Sequence, residues 1–471
     1  MGRVLRASAA VLFGAVLAAG FNSAGAAPPR VPALPAALDA YVKYAVTDLP
    51  NHYKTGPIAA TNNTPADNPI TDAGATLGRV LFYDKRMSHG DGVACASCHR
   101  QQLGFSDPSR FSTGFDGQQT ARHSMGITNA VYYARGKAFW DERATSLEDQ
   151  ALQPIQSPVE MGMTPPALVA KLGQTDFYPT LFQAAFGTPE ITPERIGKAI
   201  AQFERSMVSY KSKFDAAVAA GQNGQPNLNM LTGMEIYGNA LFHGSGRCSQ
   251  CHTTNAQVGS TTHNIGLNLT NDADPGAGNG KFKTTSLRNV AVRGRFMHDG
   301  RFATLEEVIQ FYNSGVQANP SLDPILKDQN GSPLRLNFGP TEIAAMVAFL
   351  NTLTDTEFLN DAKFSDPFVV LSGDYNGDGT VDADDYSTWK SSFGDTTSLV
   401  ADGNGDGRVD AADYTVWRNN VGANWQDLAF GAGSGSPALG VPEPAGGTAL
   451  LVALLTGWGA HRRRSRCHPL A

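Results

Sequence analysis

A mainly α chain in tandem halves, followed by a small helical tail, is predicted by three observations. The pentapeptides Cys95-Ala96-Ser97-Cys98-His99 and Cys248-Ser249-Gln250-Cys251-His252 fall in two similar parts of the chain. Apolar residues recur at helical spacing in both parts. Two aspartate-rich runs then open at Asp374 and Asp402.

Each pentapeptide is a Cys-x-x-Cys-His, the pattern that attaches c-type haem. The paired thiols reach the two vinyl groups of one porphyrin, and the histidine reaches the iron. A redox disulfide or half a zinc site would also use Cys-x-x-Cys. Neither needs histidine directly afterwards, twice. Two covalent haem c groups are therefore expected, with His99 and His252 as proximal ligands. Four of the five cysteines are consumed this way, leaving Cys467 and no disulfide framework.

The N-terminus reads as an export signal over residues 1–27. Arg3 and Arg6 precede an alanine-rich apolar stretch and the small residues Ala24-Gly25-Ala26. A membrane anchor is the rival, but the stretch is short for a span. The 471 residues predict two or three domains. A net charge of −6 with no basic stripe excludes a nucleic-acid partner.

The halves look duplicated. Leu77-Gly78-Arg79-Val80-Leu81-Phe82 leads to the first haem motif, and Tyr237-Gly238-Asn239-Ala240-Leu241-Phe242 leads to the second. Thr192 and Pro193 suit an N-cap and first helical residue, before Ile196, Ala199, Ile200, Phe203 and Met207 at helical spacing. Another amphipathic helix is expected from Thr341, with Ile343, Met346, Val347, Leu350 and Leu353 on one face. Gly- and Asn-rich stretches at 221–227 and 271–280 read as loops. The expected haem domains are 40–215 and 216–365.

Residues 370–423 form a separate module. Asp374, Asn376, Asp378, Thr380, Asp382 and Asp385 fill positions 1, 3, 5, 7, 9 and 12 of a calcium loop, with Gly379 at the turn. Asp402, Asn404, Asp406, Arg408, Asp410 and Asp413 repeat it, with Gly407 at the turn. Position 7 offers a backbone carbonyl, so Thr380 and Arg408 are acceptable there. The closing aspartates and the aromatic pairs Tyr386/Trp389 and Tyr414/Trp417 resemble a type I dockerin. That resemblance implies two Ca2+ ions and a cohesin-like partner; a purely structural calcium module stays open. After a linker at 424–440, residues 441–466 resemble a PEP-CTERM sorting segment, which implies an exosortase-type sorting protease. A plain tail anchor is the alternative. Either way the protein is expected in the periplasm or at the cell surface of a bacterium.

From residue 77 to about 353 the chain resembles the bacterial di-haem cytochrome c peroxidase family, including its MauG-type branch. The strings that carry this are the first haem motif, Phe139-Trp140-Asp141-Glu142-Arg143-Ala144, Gln150 through Met161, Ser286-Leu287-Arg288-Asn289 and Phe296-Met297-His298-Asp299-Gly300. The resemblance implies a peroxidatic first haem and an electron-transfer second haem. It assigns Glu160 as acid–base group, Gln150 and Pro154 as pocket residues on the peroxide side, and Trp140 as electron relay between the haems. Many members place a histidine ligand in the segment that here reads Ser112-Thr113-Gly114-Phe115. Phenylalanine cannot ligate iron, so the first haem is expected without that ligand; His89 and His123 are rivals. His123 falls where related proteins use an asparagine to help hold a calcium ion between the haems, and that ion stays open. At the second haem the matching ligand position is Tyr312, as in the MauG-type branch, with Met297 or Met346 as alternatives. His298 is implied close to this haem.

The resulting expectation is an exported di-haem oxidoreductase. It would reduce hydrogen peroxide with electrons from a small cytochrome c, a copper protein or an oxidisable substrate. A MauG-type oxidase of a partner protein, a non-catalytic electron-transfer cytochrome, and an adhesive surface protein built on the calcium module are the alternatives.

Overall fold

A computed structural model describes residues 30–34, 42–45 and 48–428. The signal segment 1–27, the sorting segment 441–466 and Cys467 lie outside the described residues. The structure is helix-rich, with two short antiparallel strand pairs.

In the first half, helix Asp72–Tyr83 packs along helix Pro193–Ser206, which also carries helix Leu147–Gln156. Thr71 accepts a hydrogen bond from the Gly74 N–H, and Thr192 accepts one from Arg195 ahead of Pro193. These caps start both helices by satisfying donors that lack an intrahelical partner. In the second half, helix Gly233–His243 packs on helix Pro340–Asn351.

The two pairs share one construction detail. A Cβ on Gly78 would lie 2.0 Å from the Ala199 carbonyl oxygen, beside Phe203. A Cβ on Gly238 would lie 1.9 Å from the Ala345 carbonyl oxygen, beside Phe349. Glycine lets the backbones touch at both crossings. The second crossing also turns helix Pro340–Asn351. Ala345, Met346, Phe349 and Leu350 are buried, whereas Ile343 and Val347, expected on the core face, are only partly covered.

The tail does not stand apart. Leu371, Val381 and Trp425 belong to the same apolar core as Leu77, Leu81, Phe177 and Ile200 of the first half. Strand Phe368–Val370 pairs antiparallel with Arg30–Pro32, with Val31 opposite Val369. Arg86 donates to the Gly377 carbonyl at 2.7 Å, and the Thr380 hydroxyl donates to the Asp176 carboxylate at 2.6 Å. Within the tail, helices Ala383–Ser392 and Ala411–Asn420 exchange contacts. Trp389 donates to the Asp410 carbonyl and Trp417 to the Asp382 carbonyl, at 2.8 and 2.7 Å. Tyr386, Trp389, Tyr414 and Trp417 pack ring against ring between them, and Trp389 and Trp417 also cover the tail's buried core of Tyr375, Ala401 and Val409.

Candidate haem sites

The four motif cysteines are free thiols, and each pair opens on a cavity. The first cavity, about 940 Å³, is lined by Cys95, Cys98 and His99. It also takes in Gln150, Pro154, Glu160 and Trp140, so all four expected catalytic residues converge on the first haem motif. The His99 Nδ1–H donates to the Phe105 carbonyl at 2.8 Å. That fixes the ring and leaves Nε2 as the basic nitrogen, the arrangement metal-ligating histidines use. Burial lowers the His99 pKa, favouring the neutral imidazole that iron requires.

Gln150 and Pro154 lie one helical turn apart on helix Leu147–Gln156, so they share a face. Proline inside that helix has no N–H to offer the Gln150 carbonyl. Glu160 sits on the next turn, where its N–H donates to the Ser157 carbonyl at 3.2 Å. The segment 112–116 is laid directly on this turn. Phe115 N–H donates to the Glu160 carbonyl at 3.0 Å, and a Cβ on Gly114 would lie 1.6 Å from the Val159 carbonyl oxygen. The Phe115 ring packs against Gly162 and His89, and neither Phe115 nor His89 lines the cavity. This segment braces the Glu160 turn from behind. His123 does line the cavity, but its Nδ1 contacts the Ser109 carbonyl at 3.1 Å.

Two cavity groups escaped sequence reasoning. Glu204 is buried, and burial pushes its carboxyl up to about 8. Lys283 is buried on the wall of both cavities, and burial brings its ammonium down to about 8. Glu204 did leave a signal: it follows Ile200 by four, on the buried stripe of its helix.

The second cavity, about 200 Å³, is lined by Cys248, Cys251, His252, Met297, Tyr312 and Met346. Burial brings His252 down to about 4, and its Nδ1 has no hydrogen-bond partner among the described residues. Tyr312 occupies a π-helical turn, Phe311–Gly315, which follows helix Leu305–Gln310. Such turns re-aim a side chain and often mark functional sites. Its hydroxyl makes no hydrogen bond among the described residues, and burial raises its pKa well above the ordinary phenol value. His298 stacks on Phe282 with ring centroids 3.5 Å apart.

The cavities share a wall. Trp140, His123, Lys283 and His298 line both. The Trp140 Nε1–H donates to the His123 carbonyl at 2.7 Å, and its ring lies 6.4 Å from that of His298. Arg122 clamps the wall by pairing with Asp141 and Asp274 at 2.6 and 2.7 Å.

These features fit two c-type haems. Each site has a thiol pair, a partly buried imidazole whose pKa burial lowers, and a largely apolar cavity.

In the tail, the Asp374 carboxylate accepts from the Gly377 and Gly379 N–H groups, and Asp385 accepts from Tyr375, Asn376 and Asp382. Asp402 and Asp413 repeat the pattern. Burial, reinforced by Asp385 and Asp378, pushes Asp374 up to about 7. Among the described residues no three His, Cys, Asp or Glu side chains converge as a ready metal cluster.

Together the paired motifs and cavities define a di-haem c-type oxidoreductase. The family model described as di-haem cytochrome c peroxidase matches residues 72–223, and that of the dockerin type I domain matches residues 372–422. The methylamine utilization protein MauG of Methylorubrum extorquens is 36% identical over 299 residues, covering 61% of this chain and 80% of that protein. Cytochrome c551 peroxidase of Nitrosomonas europaea is 33% identical over 291 residues, covering 59% and 79%. Among solved structures, a MauG-like protein associated with microbial copper homeostasis superposes with TM-score 0.57 at 31% identity, covering 68% of this chain and 99% of that one. The chain belongs to the di-haem cytochrome c peroxidase family. It is an enzyme, a di-haem peroxidase or related oxidoreductase.

Proposed function

We propose that the chain reduces hydrogen peroxide in the first cavity with electrons delivered through the second. In this reading 40–215 and 216–365 are tandem cytochrome c domains. The observation that carries it is the convergence of Glu160, Gln150, Pro154 and Trp140 on the cavity of Cys95, Cys98 and His99. Bound haem supplies a coordination position for peroxide and a store for electrons. The Glu160 carboxylate accepts a proton from one peroxide oxygen and returns it to the other, which then departs as water. Gln150 offers an amide to orient peroxide, while Pro154 presents a surface with no donor. Two electrons and two protons complete the conversion to two waters. Trp140, on the shared wall, provides an oxidisable ring along the electron route. The test is peroxide-dependent oxidation of a reduced small cytochrome c or copper protein. No turnover with either donor, by material carrying both haems, overturns the reading.

Phe115 carries a spectroscopic expectation. With no histidine from segment 112–116 at the first site, the ferric protein should show one high-spin haem and bind cyanide without prior reduction. Two low-spin, six-coordinate haems in the resting protein would contradict this.

A MauG-type oxidation of a partner protein or organic substrate is the second reading, favoured by the unbonded Tyr312 hydroxyl. A phenolate ligand stabilises ferric iron and lowers the potential. Tyr312→Met should therefore raise the midpoint potential of one haem and remove the phenolate signature from its spectrum. An unchanged potential would assign the ligation elsewhere, to Met297 or Met346. His298, at the shared wall, belongs to the electron route in both readings.

The tail is read as a dockerin-like module. Asp374, Asn376, Asp378, Asp382 and Asp385, with the Thr380 carbonyl, would hold one Ca2+. Asp402, Asn404, Asp406, Asp410 and Asp413, with the Arg408 carbonyl, would hold the second. Hard oxygen donors on a tight glycine turn suit this ion. A cohesin-like partner, export, and cleavage by a sorting protease complete the proposal for an enzyme at the bacterial envelope. Among the described residues no helix is long and apolar enough to cross a membrane.

A further inference from the structure

Of the four buried arginines among the described residues, two are ion-paired: Arg205 meets Glu148, and Arg288 meets Asp215. Arg79, which lines neither cavity, donates its Nε–H to the Ser365 carbonyl at 2.7 Å. Arg293 differs in lining a cavity. It is 9% exposed and makes no ion pair among the described residues. Its Nη2–H groups donate to the Ser286 and Arg288 carbonyls at 2.9 and 2.7 Å, while its buried Nε–H has no partner. A guanidinium desolvated without an anion costs several kcal/mol, so the site implies an anionic ligand.

Its position says which one. Arg293 lines the second cavity together with Arg295. Arg295 likewise makes no hydrogen bond or ion pair among the described residues. The guanidinium lies against Gly126, where a Cβ would be 2.7 Å from Cζ, and Gly126 lines both cavities. The charge therefore sits at the seam between the two sites, near His123.

We propose that Arg293 and Arg295 bind the propionate carboxylates of the second haem. The Arg293 guanidinium then supplies the positive charge between the haems, and no calcium ion is held there. This rests on the haem placement argued above. Guanidinium and carboxylate match in a planar, bidentate geometry, which suits Arg better than Lys. Calcium, by contrast, needs several hard oxygens. At this seam the His123 carbonyl accepts from Trp140, the His123 Nδ1 faces the Ser109 carbonyl, and the Asp141 and Asp274 carboxylates are paired with Arg122. A fixed cation beside them repels a second one.

The experiment uses the full-length, haem-loaded protein. Potentiometric titration of Arg293→Leu should show lowered midpoint potentials, with the larger drop at one haem, and Arg293→Lys restoring most of the difference. Loss of the second haem from Arg293→Leu but not from Arg293→Lys also supports the assignment. Unmoved potentials with both haems attached, or equal haem loss from both variants, overturns it. Elemental analysis gives a separate readout. A variant carrying Asp374→Ala and Asp402→Ala should retain two irons and no tightly held calcium. A calcium equivalent surviving there overturns the calcium half of the proposal. Intact mass lacking two haems in the wild type would instead refute the haem placement itself.

Discussion

Glu160→Gln is expected to lower the rate of peroxide reduction by about 10²–10⁴-fold, the usual contribution of a positioned acid–base group. Glutamine keeps the size and shape of the side chain and removes only its ability to carry a proton. The surrounding turn has no stake in the carboxylate. It is fixed by the backbone bonds of Glu160 to Ser157 and Phe115, and by the close approach of Gly114 to Val159. Both haems should therefore remain attached, and the ferric spectrum should match the wild type. The measurement is steady-state peroxide reduction with a reduced cytochrome, alongside intact mass. Activity within tenfold of the wild type would remove Glu160 from the mechanism.

The second large effect concerns the tail. Trp425 is 6% exposed and meets Phe177 with ring centroids 6.2 Å apart, while Gly379 of the first calcium loop abuts both rings. Trp425→Ala is expected to cost about 3–5 kcal/mol, the range for deleting a buried tryptophan. The cost should appear in the first haem domain, as a lower temperature for loss of its haem absorbance. Chelation of calcium should move the same transition downward, because the loop that presents the Gly377 carbonyl to Arg86 loses its ion. If the tail melts separately and the haem transition stays put, the shared core contributes no coupling.

What could be read from the chain alone divides by range of contact. The haem motifs, the calcium loops, the Thr192 cap and the face shared by Gln150 and Pro154 are local patterns, set by spacing along a few turns. The pairing of Gly78 with Ala199, and of Gly238 with Ala345, was half visible: the repeat showed, but not its partners. Partners from distant sequence were out of reach. Glu204 falls on the buried stripe of its helix, but nothing near Lys283 announces that it lies buried on a cavity wall. The tail's aspartates also gave no sign that Val381 and Trp425 complete the apolar core of the first half. Phe115 is instructive in the same way. Its side chain cannot ligate iron, and only the fold shows its segment bracing the Glu160 turn.

The crossed tryptophans of the tail carry a last consequence. Each indole is anchored to the loop opposite its own helix, so neither aspartate loop can be shaped without shaping the other, and any ions they take would be coupled. Occupancy should then rise steeply over a narrow window of ion concentration, making the tail respond as a threshold rather than in proportion.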